Sequence, residues 1–198
     1  MKNLKIYLFI GSAFFASVGC NNSGNNQTGS QNAGVNLSED DEEFVNAAAE
    51  GGMLEVELGK IAQQHCSNNR VRDFGAMMVK DHSAANEELK AYAASKNFML
   101  PASLGDKHQK HLEKLKKKTG VEFDKEYMEM MVKDHNKDIK EFEDAAKDSK
   151  DRDLQAWAAK TLPVLKIHQD SAKAINKQTK VTLPAGNVTE GMERQSYP

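Results

Sequence analysis

From Glu39 to about Gln178 the apolar residues recur at helical spacing, and no stretch alternates apolar and polar positions as a half-buried strand would. The spacing predicts five helices. The first should run from about Asp40 to His65, with Ser38 as its cap and acidic residues in its first turn, where the helix dipole favours them. Its apolar line reads Phe44, Ala48, Gly51, Glu55, Leu58 and Ala62. Ser67-Asn68-Asn69 interrupts it, and a second helix extends to about Lys96 with Val71, Gly75, Met78, His82, Ala85, Leu89 and Tyr92 on one line. Pro101 ends the following connection, because its ring and missing N–H oppose helix continuation. A shorter helix, about Ser103 to Lys118, carries Leu104, His108, His111 and Leu115, and Gly120 closes it. The fourth, about Glu122 to Lys147, lines up Asp124, Met128, Met131, His135, Ile139, Phe142 and Ala146. The fifth, about Asp151 to Gln178, lines up Leu154, Trp157, Thr161, Leu165, His168, Ala172 and Ile175, and Pro163 inside it should kink or split it.

The fold class is therefore all-α, and it contains a repeat. Met77-Met78-Val79-Lys80-Asp81-His82 recurs letter for letter as Met130-Met131-Val132-Lys133-Asp134-His135, 53 positions later. Two copies are too few for a solenoid, so duplication within one bundle fits better. Short connections favour pairing the first helix with the second and the fourth with the fifth, leaving the short helix in the crossover. Pairing the third with the fourth is the alternative, since Glu55 displaced by the repeat length falls on His108. The pattern leaves both open.

The two ends read differently. Lys2 and Lys5 precede an apolar run from Ile6 to Ala16 that closes in Ser17-Val18-Gly19-Cys20, too short for a comfortable membrane span but suited to a signal peptide over residues 1–19. Small residues before Cys20 resemble a bacterial lipobox, so Cys20 is the expected lipidation site and the membrane the expected partner through a lipid anchor. Residues 20–38 are rich in Asn, Gly, Ser, Gln and Thr, the composition of a flexible tether. By the same resemblance, Asn21 after the cysteine implies the outer membrane, with the protein facing the periplasm. Residues 39–178 form the bundle, and 179–198, with Pro184, Gly186 and Pro198, a loosely ordered tail. The 198 residues carry a net charge of −2, which gives no electrostatic case for nucleic acid. Two cysteines exclude a Cys-rich zinc site, and Cys66 reads as a passive thiol at a helix end.

Candidate chemistry lies on the apolar lines. Glu55, His82, His135 and His168 each interrupt the core face of a different long helix. An isolated buried carboxylate is costly, so Glu55 should be protonated, paired with an imidazole or bound to a cation. Counted from a turn near Asn68, Glu55 lies 13 residues back and His82 14 on, which makes them level. From a turn near Ser149, His135 lies 14 back but His168 19 on, about one turn or roughly 7 Å out of plane. Glu55, His82 and His135 are accordingly the leading ligands for one divalent ion such as Fe, Mn, Zn or Cu, with His168 secondary. Asp81 and Asp134 point about 100° away from their neighbouring histidines and suit an outer, orienting role. Met78 and Met131 share the histidine face, where thioethers either fill core or lean towards Cu(I). His108 and His111 read as partly exposed, and His65 as a partner for the helix C-terminal dipole.

In combination, Phe44, Ala47-Ala48, Glu55, Met78-Val79-Lys80-Asp81-His82, Leu100-Pro101, Gly120-Val121-Glu122-Phe123-Asp124, Tyr127, His135, Leu162-Pro163 and His168 resemble the domain of unknown function 4142 family. The resemblance implies a ferritin-like four-helix bundle, with the extra short helix in the crossover, and an outer-membrane or periplasmic location. It carries no activity across. Di-iron members of the ferritin-like fold use Glu-x-x-His, whereas Val79 and Val132 stand three residues before His82 and His135, so di-iron chemistry is not expected. The expectation is a lipid-anchored envelope bundle that is not an enzyme and binds a divalent metal through buried Glu and His. A structural or stress-related partner-binding bundle with a buried Glu–His network is the alternative, and a mononuclear-metal redox enzyme the third.

Overall fold

The computed structural model describes residues 37–181. The expected leader, Cys20, most of the tether and the tail beyond residue 181 lie outside the described residues. Five helices follow in order: α1 Glu39–His65, α2 Asn69–Ser95, α3 Asp106–Lys116, α4 Gly120–Asp148 and α5 Arg152–Val181. No strand occurs among the described residues, and none of their helices is long and apolar enough to cross a membrane. Leu37, expected in the tether, is buried with Val45, Leu89 and Trp157 and so belongs to the bundle.

α1 packs chiefly on α2, and α4 on α5. The two hairpins then meet through α1 against α4 and α2 against α5, which leaves α2 and α4 on a diagonal. α3 spans the crossover and leans on α1 more than on α4, so the first of the two pairings is the one adopted. Asp124, near the start of α4, accepts hydrogen bonds from the Ser67 and Asn68 N–H groups in the α1–α2 connection, at 3.2 and 3.0 Å. α2 and α4 therefore start at the same end and run parallel, with their identical hexapeptides at one height. At the other end Asp41 of α1 accepts from the Lys150 N–H in the α4–α5 connection at 3.2 Å. Each hairpin thus supplies a buried aspartate that satisfies the other's turn.

Helix limits follow local chemistry. Ser38 Oγ accepts from the Asp41 N–H at 3.2 Å and starts α1. α2 stops with Asn97 at φ 55°, where Phe98 N–H reaches back to the Ala93 carbonyl at 2.9 Å and Asn97 N–H to Ala94 at 3.2 Å, a Schellman closure. α3 is shorter than its apolar pattern implies, because the chain stays extended through Gly105, its cap. Gly120, at φ 64°, does not close α3, which ends at Lys116; it turns the chain into α4. α5 is not split by Pro163. The proline and Ala159, whose carbonyl loses its helical partner, both lie on the exposed face, so the missing bond leaves no buried polar group. α1 and α2 touch backbone to backbone at Gly59 and Gly75, where a Cβ on Gly59 would stand 2.5 Å from the Gly75 carbonyl oxygen.

The core divides in two. Leu54, Leu58, Phe74, Met78, Tyr127 and Met131 belong to one apolar cluster. Val45, Leu89, Ile139, Phe142, Trp157 and Leu165 belong to the other. In α2, α4 and α5 the polar residue picked out on the apolar line falls in sequence between members of the two clusters, and in α1 Glu55 follows Leu54 at the edge of the first cluster and contacts His82 and His135, so Glu55, His82, His135 and His168 form a single layer across the bundle.

Candidate metal centre

The layer brings the four residues together. All are buried, His135 and His168 to 0% and 1% exposure. The ring centroids lie 5.8 Å apart for His82 and His135, 5.3 Å for His82 and His168, and 5.4 Å for His135 and His168. One ring nitrogen from each histidine lies within 4.8 Å of one from each of the others. His168 is thus level with its neighbours and not a turn away. The connections are centred at Ser67 and Lys150, one residue from the positions expected for each and in opposite senses. Counted from those centres, Glu55 and His82 lie 12 and 15 residues out, and His135 and His168 lie 15 and 18, the same skew in both hairpins.

Each imidazole has one nitrogen committed and the other free. His82 Nδ1 donates to Glu55 Oε2 at 2.9 Å, His135 Nδ1 to the Met131 carbonyl at 2.9 Å, and His168 Nε2 to Asp81 Oδ2 at 3.0 Å. The partners are acceptors, which fixes those nitrogens as N–H donors. His82 Nε2, His135 Nε2 and His168 Nδ1 are buried with no hydrogen-bond partner, as is Glu55 Oε1. Glu55 Oε1 stands 3.4 Å from His135 Nδ1, so one carboxylate touches histidines of both hairpins.

The electrostatics follow from this arrangement. Burial alone would raise the Glu55 pKa, but the adjacent imidazoles, His82 foremost, outweigh it and bring the carboxyl down to about 2. Burial depresses the His82 ring, yet the Glu55 carboxylate more than compensates and holds it above the usual value. Burial pushes His135 below its ordinary value and His168 down to about 4, so both rings are neutral and keep a lone pair at neutral pH.

The remaining candidates divide. Asp81 reaches His168 on another helix, whereas Asp134 makes no hydrogen bond or ion pair to a histidine, and burial raises it to about 6. Met78 and Met131 sit in the apolar cluster, and Met131 serves His135 through its main-chain carbonyl. His108 Nδ1 donates to Glu50 Oε2 at 2.9 Å, away from the layer, and His65 Nδ1 donates to the Lys118 carbonyl at 2.8 Å instead of to its own helix end. Cys66 is buried, and burial raises its thiol pKa. Asp138 is the residue that the apolar-line reading passes over. It lines a cavity beside Glu55 and His82, and burial lifts its carboxyl well above the ordinary range. Its signal in the sequence is the 134, 138, 141 spacing of acids, one position off the His135 line.

Comparison with known proteins agrees with the architecture. Residues 26–175 match the sequence profile described as Domain of unknown function (DUF4142). Among solved structures, a DUF305 fragment from Deinococcus radiodurans is similar with a TM-score of 0.63 at 8% identity, covering 72% of this chain and 98% of that one. That likeness speaks to the helical fold alone. No curated protein matches significantly. With three-quarters of its length inside the profile, the chain belongs to the domain of unknown function 4142 family.

Proposed function

We propose that the bundle binds one divalent first-row transition metal through His82, His135 and His168. The observation that carries this is the trio of buried ring nitrogens without partners, each on a ring whose opposite nitrogen is held by a carboxylate or a carbonyl. Metal-binding histidines have this pattern, because the outer hydrogen bond fixes the tautomer and turns the lone pair inward. A self-sufficient hydrogen-bond network would instead pair both nitrogens, since buried polar atoms rarely go unsatisfied. Glu55 orients His82 and neutralises charge and is not a ligand in this reading. Three nitrogen donors suit Zn, Cu, Fe or Mn and leave a coordination position for water.

The protein acts as an envelope binding module tethered through Cys20, a placement supported by the lysines, apolar run and cysteine at the start of the sequence. Elemental analysis of protein purified without a histidine tag tests the metal reading. About one ion per chain is expected in the native protein and much less in His135→Ala; equal, negligible metal in both would remove the claim.

A further inference from the structure

The cavity beside the histidine layer is walled by all four long helices. It extends from Phe44 and Trp157 to Glu55 and His82 and holds about 30 Å³, room for roughly one water. Three of its lining residues, Glu55, His82 and Trp157, carry buried polar atoms with no protein partner. The α1–α2 side is shut, because Asn86 fills the space where a Cβ on Gly52 would sit, 2.1 Å from its Oδ1. Gly51 next door is different. A Cβ there would meet nothing within 4 Å. A glycine inside a helix is less favourable than alanine, and no close packing at Gly51 accounts for it.

The bare position sits on the cavity wall contributed by α1, and no side chain fills the space beside it. Its half-buried neighbours on that side are Ala47 of α1 and Asp138 and Glu141 of α4. Glu141 is paired from the solvent side by Lys137 at 2.7 Å, whereas Asp138 makes no hydrogen bond or ion pair. An unpaired carboxylate thus stands between an open helix face and two buried groups of the histidine layer.

We infer that this cavity is the port by which a divalent cation, giving up its water, reaches the three histidines, with Gly51 keeping it open and Asp138 offering carboxyl oxygens along the way. The inference rests on the metal reading above. Glu55 at the inner end of the cavity keeps its charge, and a negative group in a low-dielectric cleft attracts cations and speeds their arrival. Gly51 and Asp138 are then positioning residues of the route and not ligands, so they act on the rate of filling and not on its extent.

Uptake of Co²⁺ by the metal-free full chain, followed through its visible absorption, tests this. Gly51→Leu fills open space and Asp138→Asn is nearly isosteric; Gly51→Ala adds one methyl as a milder plug. Gly51→Leu and Asp138→Asn should slow filling on the order of tenfold, with Gly51→Ala between, while the ion count per chain stays that of the native protein. Added salt should slow the native protein more than Asp138→Asn. If all three variants fill at the native rate, the port is wrong and the three-histidine site stands. If the native chain takes up no Co²⁺, or His135→Ala takes up as much, the site itself fails and the port with it.

Discussion

The Nδ1 and Nε2 atoms of a histidine are distinct tools, and here they are used unequally. His82 and His135, identical in local sequence, both donate through Nδ1, one to a carboxylate and one to a carbonyl of its own helix. His168 donates through Nε2. Removing the outer acceptors should loosen metal without deleting a ligand. Glu55→Gln and Asp81→Asn are each expected to weaken binding about ten- to a hundredfold in a chelator competition, with stoichiometry restored at high metal. Asp138 gives a pH prediction. Burial first, then the Glu55, Asp134 and Glu141 charges, raise its pKa, with Lys137 opposing. A carboxyl whose folded pKa is raised binds its proton more tightly when folded, so stability falls as pH climbs from the ordinary carboxylate value to the folded one. Asp138→Asn should therefore raise Tm at pH 7, and the gain should disappear as pH drops through about 4. At this scale the sequence was readable where a polar residue broke an apolar line, as with all four layer residues. It was silent on Asp138, which interrupts no such line, and on Gly51, whose significance lies in the space beside it.

Helices were the most legible level, because their apolar periods are long and their caps are local. What sequence could not supply was anything held from across the bundle. Gly120 looks like a stop for α3 because glycine closes many helices, yet its positive φ serves the entry to α4. Of the mutual aspartates, Asp41 looks like an ordinary first-turn acid and Asp124 like an acid stranded on an apolar line until the opposite turn is in place. α5 offers a measurable case. Asp151 accepts from the Leu154 and Asp153 N–H groups at 3.0 Å, and Lys96, capping the end of α2, approaches its other oxygen at 2.6 Å. Burial opposes its charge, but the Lys96 contact and the two N–H bonds prevail and lower its pKa. Asp151→Ala should cost about 1–2 kcal/mol in denaturant unfolding at neutral pH. The difference from the native protein should shrink in acid, since a depressed pKa stabilises above the unfolded value and loses that stabilisation as pH falls through the folded one.

For the molecule as a whole, the polar layer is where two apolar clusters and two hairpins are joined. The first hairpin brings Glu55 and His82, the second His135 and His168, so an ion at the centre would be shared between them. Binding only the folded state, an ion at a hundred times its Kd would stabilise by about 2.7 kcal/mol, which for this length is a Tm rise of about 5–10 °C. Calorimetry with and without chelator should show that rise in the native protein and lose it in His168→Ala. The heights of the layer were nearly within reach of sequence. A displacement of one residue in each turn centre made one hairpin look level and the other skewed, when both are skewed alike.

Because neither hairpin owns three imidazoles, a chain nicked between α2 and α3 would yield two pieces, each coordinatively incomplete. Cobalt colour returning on mixing would then count reassembled molecules, making the centre a built-in reporter of fragment complementation.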